Sequence, residues 1–324
     1  MRNRTKTVDL VLEGGGVKGI GLLGAVLALA DDGYRFARVA GTSAGAIVAA
    51  LVAAYQRAGR DLRDLEQVMN TLDYTKFADG TPLTRFGGKV GEGLDVVVHG
   101  GGHSGDYLTE WLRPLLADVG VHTFADLRID DPGGTLLSYQ RYSLVVHASD
   151  LTRRVLVRLP WDYPEYDIVA DDQPVVDAVR ASMSIPFYFR PVQVPTGNGT
   201  ATWVDGGLLS NFPITAFDRT DGAVPRWPTW GVKLSNRPVV ERDRPVHGGL
   251  PIALSCLKAL RNDWDRYRLD REGVGSRTMY VDTDGISATD FGITAQTRET
   301  LFRSGYAAGR SFLQRNGLER AEVS

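Results

Sequence analysis

The chain has 324 residues, of which 43% are hydrophobic and 23% charged, and its formal net charge is -2. This is the composition of a globular chain long enough for one large core. The near-neutral balance gives no electrostatic footprint for nucleic acid.

Residues 1–6 are basic, but a short strand follows them rather than the apolar stretch and small-residue cleavage site of a signal peptide. No apolar run reaches membrane-spanning length. A cytoplasmic protein is expected, with peripheral contact with a membrane left open. Residues 7–13 carry Val8, Leu10, Val11 and Leu12, the nearly continuous apolar run of a buried parallel strand. The loop Gly14-Gly15-Gly16-Val17-Lys18-Gly19 leads into an apolar helix over 20–30, stopped by Gly33. Gly21 and Gly24 weaken that helix, so their presence predicts close packing on a neighbour. A second strand over 35–40 enters Gly41-Thr42-Ser43-Ala44-Gly45, followed by the Ala-rich run 46–54. The first sixty residues therefore read as strand–helix–strand–helix. Both loops lie at one edge of a parallel sheet, where open α/β folds bind ligands.

Gly14-x-Gly16-x-x-Gly19 matches the dinucleotide fingerprint by letter, but no acidic residue ends the second strand to hold a ribose. The phosphate-binding P-loop fails as well, because Lys18 precedes the last glycine and no Ser or Thr follows it. What remains is a glycine turn whose N–H groups face an anion at a helix start. Ser43 sits between a strand and a buried helix. A serine at such a turn is held in a strained backbone, with Gly41 and Gly45 avoiding clashes on either side. It is either a nucleophile or a helix cap. With both loops at one edge, the anion that fits is the oxyanion of an ester under attack.

Residues 61–72 form an amphipathic helix with Asp61 as its cap. A glycine-punctuated insertion occupies 73–105, and a helix over 106–119 contains Pro114 as a kink. Residues 142–148 and 152–159 read as a hairpin. Gln173-Pro174 opens a helix that runs into Ala181-Ser182-Met183-Ser184-Ile185-Pro186. A short strand over 202–204 ends in Asp205-Gly206-Gly207, and Asn211-Phe212-Pro213 follows. Strands are expected at 230–234 and 279–281, and helices at 251–271 and 294–314. Residues 195–201 and 219–228 read as loops. Cys256, the single cysteine, lies in the apolar run of the 251–271 helix and reads as a core residue, with no disulfide framework within the chain.

A serine nucleophile needs a base. Of the five histidines, His99 and His103 lie in the glycine-rich insertion, His122 follows a helix end and His147 sits in a strand. Only His247 follows Ser43 and Asp205 in the chain order of α/β-hydrolases, and its setting is a loop. Asp205 is the stronger partner, although Asp-Gly is also a common turn pair.

Together, Gly14-Gly15-Gly16-Val17-Lys18-Gly19, Gly41-Thr42-Ser43-Ala44-Gly45 and Asp205-Gly206-Gly207 resemble the patatin-like phospholipases in kind and order. Ala181-Ser182-x-Ser184-x-Pro186 and Asn211-x-Pro213 resemble two further stretches of that family. The resemblance covers about residues 7–235. It implies a three-layer α/β/α fold, with a mainly parallel central sheet and helices on both faces, forming one catalytic domain over 1–324. Residues 236–324 would then be a helical C-terminal part. It also implies a Ser43–Asp205 dyad without histidine, an oxyanion held by the N–H groups of Gly15, Gly16 and Lys18, no cofactor and no metal. The substrate implied is a phospholipid or related acyl lipid. The rival readings are a Ser43–Asp205–His247 triad on an α/β-hydrolase, and a non-catalytic lipid-binding or signalling module. Residues 73–105 are expected to form a flap over the acyl groove. Phe77, Leu83, Phe86, Leu94 and residues 96–98 would meet lipid, and Arg85 and Lys89 would meet phosphate.

Overall fold

The computed structural model describes residues 6–78, 101–103, 105–131, 133–134, 136–197, 199–235, 273–283, 285–288 and 290–317. Most of the expected flap, the helix expected at 251–271 with Cys256, and His99 and His247 lie outside the described residues, as does the His103 side chain.

The apolar run after the basic start forms β1 (Lys6–Leu12), and the Ile/Leu/Val-rich stretch beyond the glycine loop forms α1 (Gly19–Asp31). Strand β2 (Tyr34–Thr42) and helix α2 (Ala44–Arg57) follow, with Ser43 alone between them. Helix α3 (Asp64–Asn70) is shorter than its amphipathic pattern suggests. Asp61 does not cap it; its carboxylate accepts the Arg63 N–H in a tight turn just before the helix. Then come β3 (Gly101–His103), α4 (Asp106–Asp118), β4 (Leu144–Asp150), β5 (Val155–Leu159), α5 (Val175–Ser182) and β6 (Phe187–Phe189). The series ends with β7 (Val192–Thr196), β8 (Gly199–Asp205), β9 (Thr229–Lys233), β10 (Thr278–Tyr280) and α6 (Ala295–Arg315).

Eight strands make one sheet in the order β10-β9-β1-β2-β4-β8-β7, with β5 paired to β4. The five from β10 to β4 run parallel, and β8, β7 and β5 are antiparallel additions. Helices surround this mostly parallel sheet, as the apolar strands require. The segment 195–201 is a hairpin turn rather than a plain loop. Pro195 and the glycines hid β7, which is the terminal strand, where a missing N–H is tolerated.

Phe77 is buried rather than presented to lipid. It packs edge-on against Tyr107 and Phe189, with ring centres 5.4 and 6.0 Å away. The short helical turn Tyr74–Ala78 folds it back onto α4.

Strand β1 has β2 on one side and β9 on the other, so the chain changes direction across the sheet at β1. Loops leaving the C-terminal ends of these strands border a crevice at such a point. The register sets Leu12 opposite both Gly41 and Val232.

The close packing predicted for Gly21 and Gly24 is found against α6. A Cβ at Gly24 would overlap the Phe302 carbonyl, and one at Gly305 would overlap the Gly21 carbonyl. The two helices meet backbone to backbone. Gly305→Ala ought therefore to lower stability, despite the gain of about 1 kcal/mol that alanine brings inside a helix. A net loss of roughly 1–3 kcal/mol is expected from the overlap, read as a lower denaturant midpoint. An increase in stability would contradict this packing.

Candidate active site

Three loops converge at the C-terminal edge of the sheet. The first is the turn at Ser43, whose φ of 53° and ψ of -126° are unusual for a residue with a side chain. The flanking glycines make it possible. A Cβ on Gly41 would overlap the Gly45 carbonyl, and one on Gly45 would come within 2.5 Å of the Leu12 oxygen. The Ser43 carbonyl accepts the first helical N–H of α2, from Ala46 at 2.8 Å. Its own N–H is taken by Ser182 Oγ at 2.8 Å, and Ser182 Oγ donates in turn to the His147 carbonyl at 2.6 Å. Ser43 Oγ lies 3.5 Å from the sulfur of Met183, a weak acceptor.

The second loop is Gly14–Gly19. A Cβ on Gly14 would sit 3.1 Å from Ser43 Cβ, so this loop is laid directly against the serine. Gly16 has φ +56° and faces the Ala288 carbonyl, which also accepts the Val17 N–H at 3.1 Å. Only glycine fits there without strain. Gly19 touches Ala44 at the start of α2. The Lys18 N–H turns inward to the Gly15 carbonyl at 3.2 Å, while the N–H groups of Gly15 and Gly16 donate to nothing among the described residues.

The third loop begins at Asp205. Residues 144–147 of β4 pair with β2, and its residues 148–150 pair with β8. Thr42 thus faces His147 and Asp205 faces Ala148, which sets the ends of β2 and β8 almost tip to tip. Gly206 packs between the His147 carbonyl and Thr42 Cγ2. Asp205 Oδ1 accepts the Gly207 N–H at 2.7 Å, and its backbone N–H donates to the Ser184 carbonyl at 2.9 Å. Ser43 and Asp205 are each 5% exposed.

Asn211 joins the second loop to the third. Its side chain donates to the Gly14 carbonyl at 2.8 Å, its carbonyl accepts the Gly14 N–H at 3.0 Å, and Gly207 packs against its side-chain oxygen. His147 is buried under the strand end, with Nδ1 3.4 Å from the Gly41 carbonyl. Arg180 braces the segment after α5 from below, through Ser184 Oγ at 2.5 Å and the Arg190 carbonyl at 3.1 Å. Burial holds its guanidinium below the usual arginine pKa. Among the described residues, no group of three or more His, Cys, Asp or Glu is placed to hold a metal ion. No helix among them is long and apolar enough to cross a membrane.

The family model of patatin-like phospholipases matches residues 10–218. The chain belongs to this family. All three loops described above fall inside the matched stretch. A relative from Bacillus subtilis (strain 168), the uncharacterized protein YqhO, is 34% identical over 314 residues, covering 95% of this chain and 98% of its own. Among solved structures, VipD from Legionella pneumophila superposes with a TM-score of 0.51 at 18% identity, over 96% of this chain and 67% of its own. The ExoU chain of the ExoU–SpcU complex from the Pseudomonas aeruginosa type III secretion system gives 0.50 at 18% identity, over 96% of this chain. This chain spans only 52% of that one. At such identities the likeness speaks for the patatin-like fold.

Sequence reasoning named the three loops but gave Ser182 and Asn211 no role. Their motifs were visible; the bonds they make join residues far apart in the chain. Ser182→Ala would remove the buried acceptor of the Ser43 N–H and a donor to the His147 carbonyl. It is expected to cost about 1–3 kcal/mol of stability. Urea unfolding measures this, and an unchanged midpoint would contradict it.

Proposed function

We propose that this chain hydrolyses carboxylic esters of phospholipids or related acyl lipids, with Ser43 as nucleophile and Asp205 as general base. The observation that carries this reading is the strained Ser43 turn, with the Gly14–Gly19 loop against it and the Asp205–Gly206 turn against Thr42. Family membership supports a lipid acyl hydrolase.

In the proposed reaction, Ser43 Oγ attacks the acyl carbonyl carbon as its proton passes to the Asp205 carboxylate. The carbonyl oxygen becomes an oxyanion, held by the N–H groups of Gly15 and Gly16. Their lack of other partners among the described residues supports this choice. The Lys18 amide, turned to Gly15, is the less suited donor. Fixed dipoles of this kind stabilise charge without reorganising at the moment of reaction. Collapse breaks the ester C–O bond, and Asp205 returns the proton to the leaving alcohol. Water then attacks the acyl-enzyme with Asp205 again as base, releasing the fatty acid and freeing Ser43. The substrate would be met at a membrane surface approached from outside.

The test is fatty-acid release from a mixed phospholipid extract. Wild type should release fatty acid, and Ser43→Ala should lose at least about a thousandfold of that rate. Asp205→Asn keeps an oxygen for the Gly207 N–H and removes the base, so activity should collapse in a folded protein. His247→Ala should stay close to wild type. Activity retained in Ser43→Ala would sink the proposal, and a folded but dead His247→Ala would transfer the base role to histidine.

A further inference from the structure

Glu13 is the last residue before the glycine loop, and it is only 5% exposed. A carboxylate so placed is costly unless it is paired and hydrogen-bonded. Both conditions are met at the end of β9. Glu13 Oε1 is ion-paired with the Nζ of Lys233, a residue only 8% exposed, and Glu13 Oε2 accepts the Leu234 N–H at 2.5 Å. The Glu13 backbone N–H donates to the Val232 carbonyl at 3.1 Å. The one residue that follows β1 therefore fixes the end of the neighbouring strand at three successive positions.

What Glu13 fixes bears on the glycine loop. The Leu234 side chain fills the space over Gly15 so closely that a Cβ there would overlap its Cδ1. The Leu234 carbonyl is held by Thr283 Oγ1 at 3.4 Å. On its other side, the Glu13 carbonyl lies under Gly45 in the first turn of α2. Glu13 thus sits between the serine turn and the Leu234 wall behind Gly15.

We propose that Glu13 is a positioning residue for ester hydrolysis at Ser43. Its carboxylate fixes the Leu234 backbone whose side chain seats Gly15, and Lys233 cancels its charge beside the forming oxyanion. This rests on the reading given under Proposed function. The two parts separate cleanly. The bond to the Leu234 N–H sets geometry, and small displacements of catalytic groups cost rate rather than substrate binding. The Lys233 charge matters because a bare carboxylate near a forming oxyanion opposes it at low dielectric.

The test uses a soluble short-chain p-nitrophenyl ester, with thermal melting to confirm each fold and Ser43→Ala assayed in parallel. Glu13→Gln/Lys233→Met removes both charges and keeps an oxygen for the Leu234 N–H. Glu13→Leu/Lys233→Met removes that oxygen at similar volume. The Leu pair should lose about a hundredfold in kcat, with KM within about threefold, while the Gln pair stays within about fivefold of wild type in kcat. Equal kcat in the two pairs, or a change carried by KM alone, would overturn the proposal. Should the Leu pair not fold, Lys233→Met alone supplies the second arm. It should have lower kcat than the Gln pair, because it leaves the carboxylate bare; equal kcat in these two would overturn the proposal as well. If Ser43→Ala retains activity, the nucleophile reading fails and this inference falls with it. If Ser43→Ala is dead while the paired variants match one another, only the role of Glu13 fails.

Discussion

The site depends on one backbone constraint, the positive φ of Ser43. A residue with a side chain pays of order 1–3 kcal/mol to stand in such a conformation, and it persists only where its surroundings over-determine it. Here they do so from four directions. Strand β2 is locked between β1 and β4, and α2 begins at once on the far side. Gly41 and Gly45 let the two limbs of the turn approach, and Ser182 ties the Ser43 N–H back to β4. Buried parallel strands are a suitable anchor for such strain, since neither face nor edge can relax toward water.

The remaining loops are placed by the same sheet. Parallel pairing of β1 with β2 sends the glycine loop out beside Ser43, and the switch of β4 from β2 to β8 brings Asp205 to the same height from the opposite direction. Asn211 then closes the arrangement by binding Gly14 and packing on Gly207. Most buried polar groups in this region are paired, with backbone as much as with one another, Thr42 Oγ1 being an exception among the described residues. That is how a low-dielectric site keeps its polar atoms satisfied and its geometry fixed. The Glu13–Lys233 pair fits this pattern, as a charge carried inward only with its counter-charge beside it.

Much of this was legible in the chain. The runs through Val8–Leu12 and Ala46–Ala54 are too apolar to be anything but buried, and the glycines at 14–16, 41 and 45 mark the loops between them. Gly21 and Gly24 announced a close neighbour, though only the folded chain shows it to be α6, by way of Gly305. Strand β7 was hidden because Pro195 and its glycines look like a loop and are tolerated at a sheet edge. Phe77 was misassigned because an aromatic in a glycine-rich stretch carries no periodicity to reveal which way it faces. Glu13 drew no notice, yet a carboxylate closing a mostly apolar buried strand must find a cation, and that requirement was itself the available signal.

The central claim is that the strained serine is the one nucleophile. Covalent labelling with a long-chain fluorophosphonate, followed by peptide mass mapping, tests it most directly. The account predicts a single adduct, carried by the peptide that contains Ser43 and absent from Ser43→Ala. An adduct on another residue, or labelling of Ser43→Ala at the wild-type rate, would contradict it.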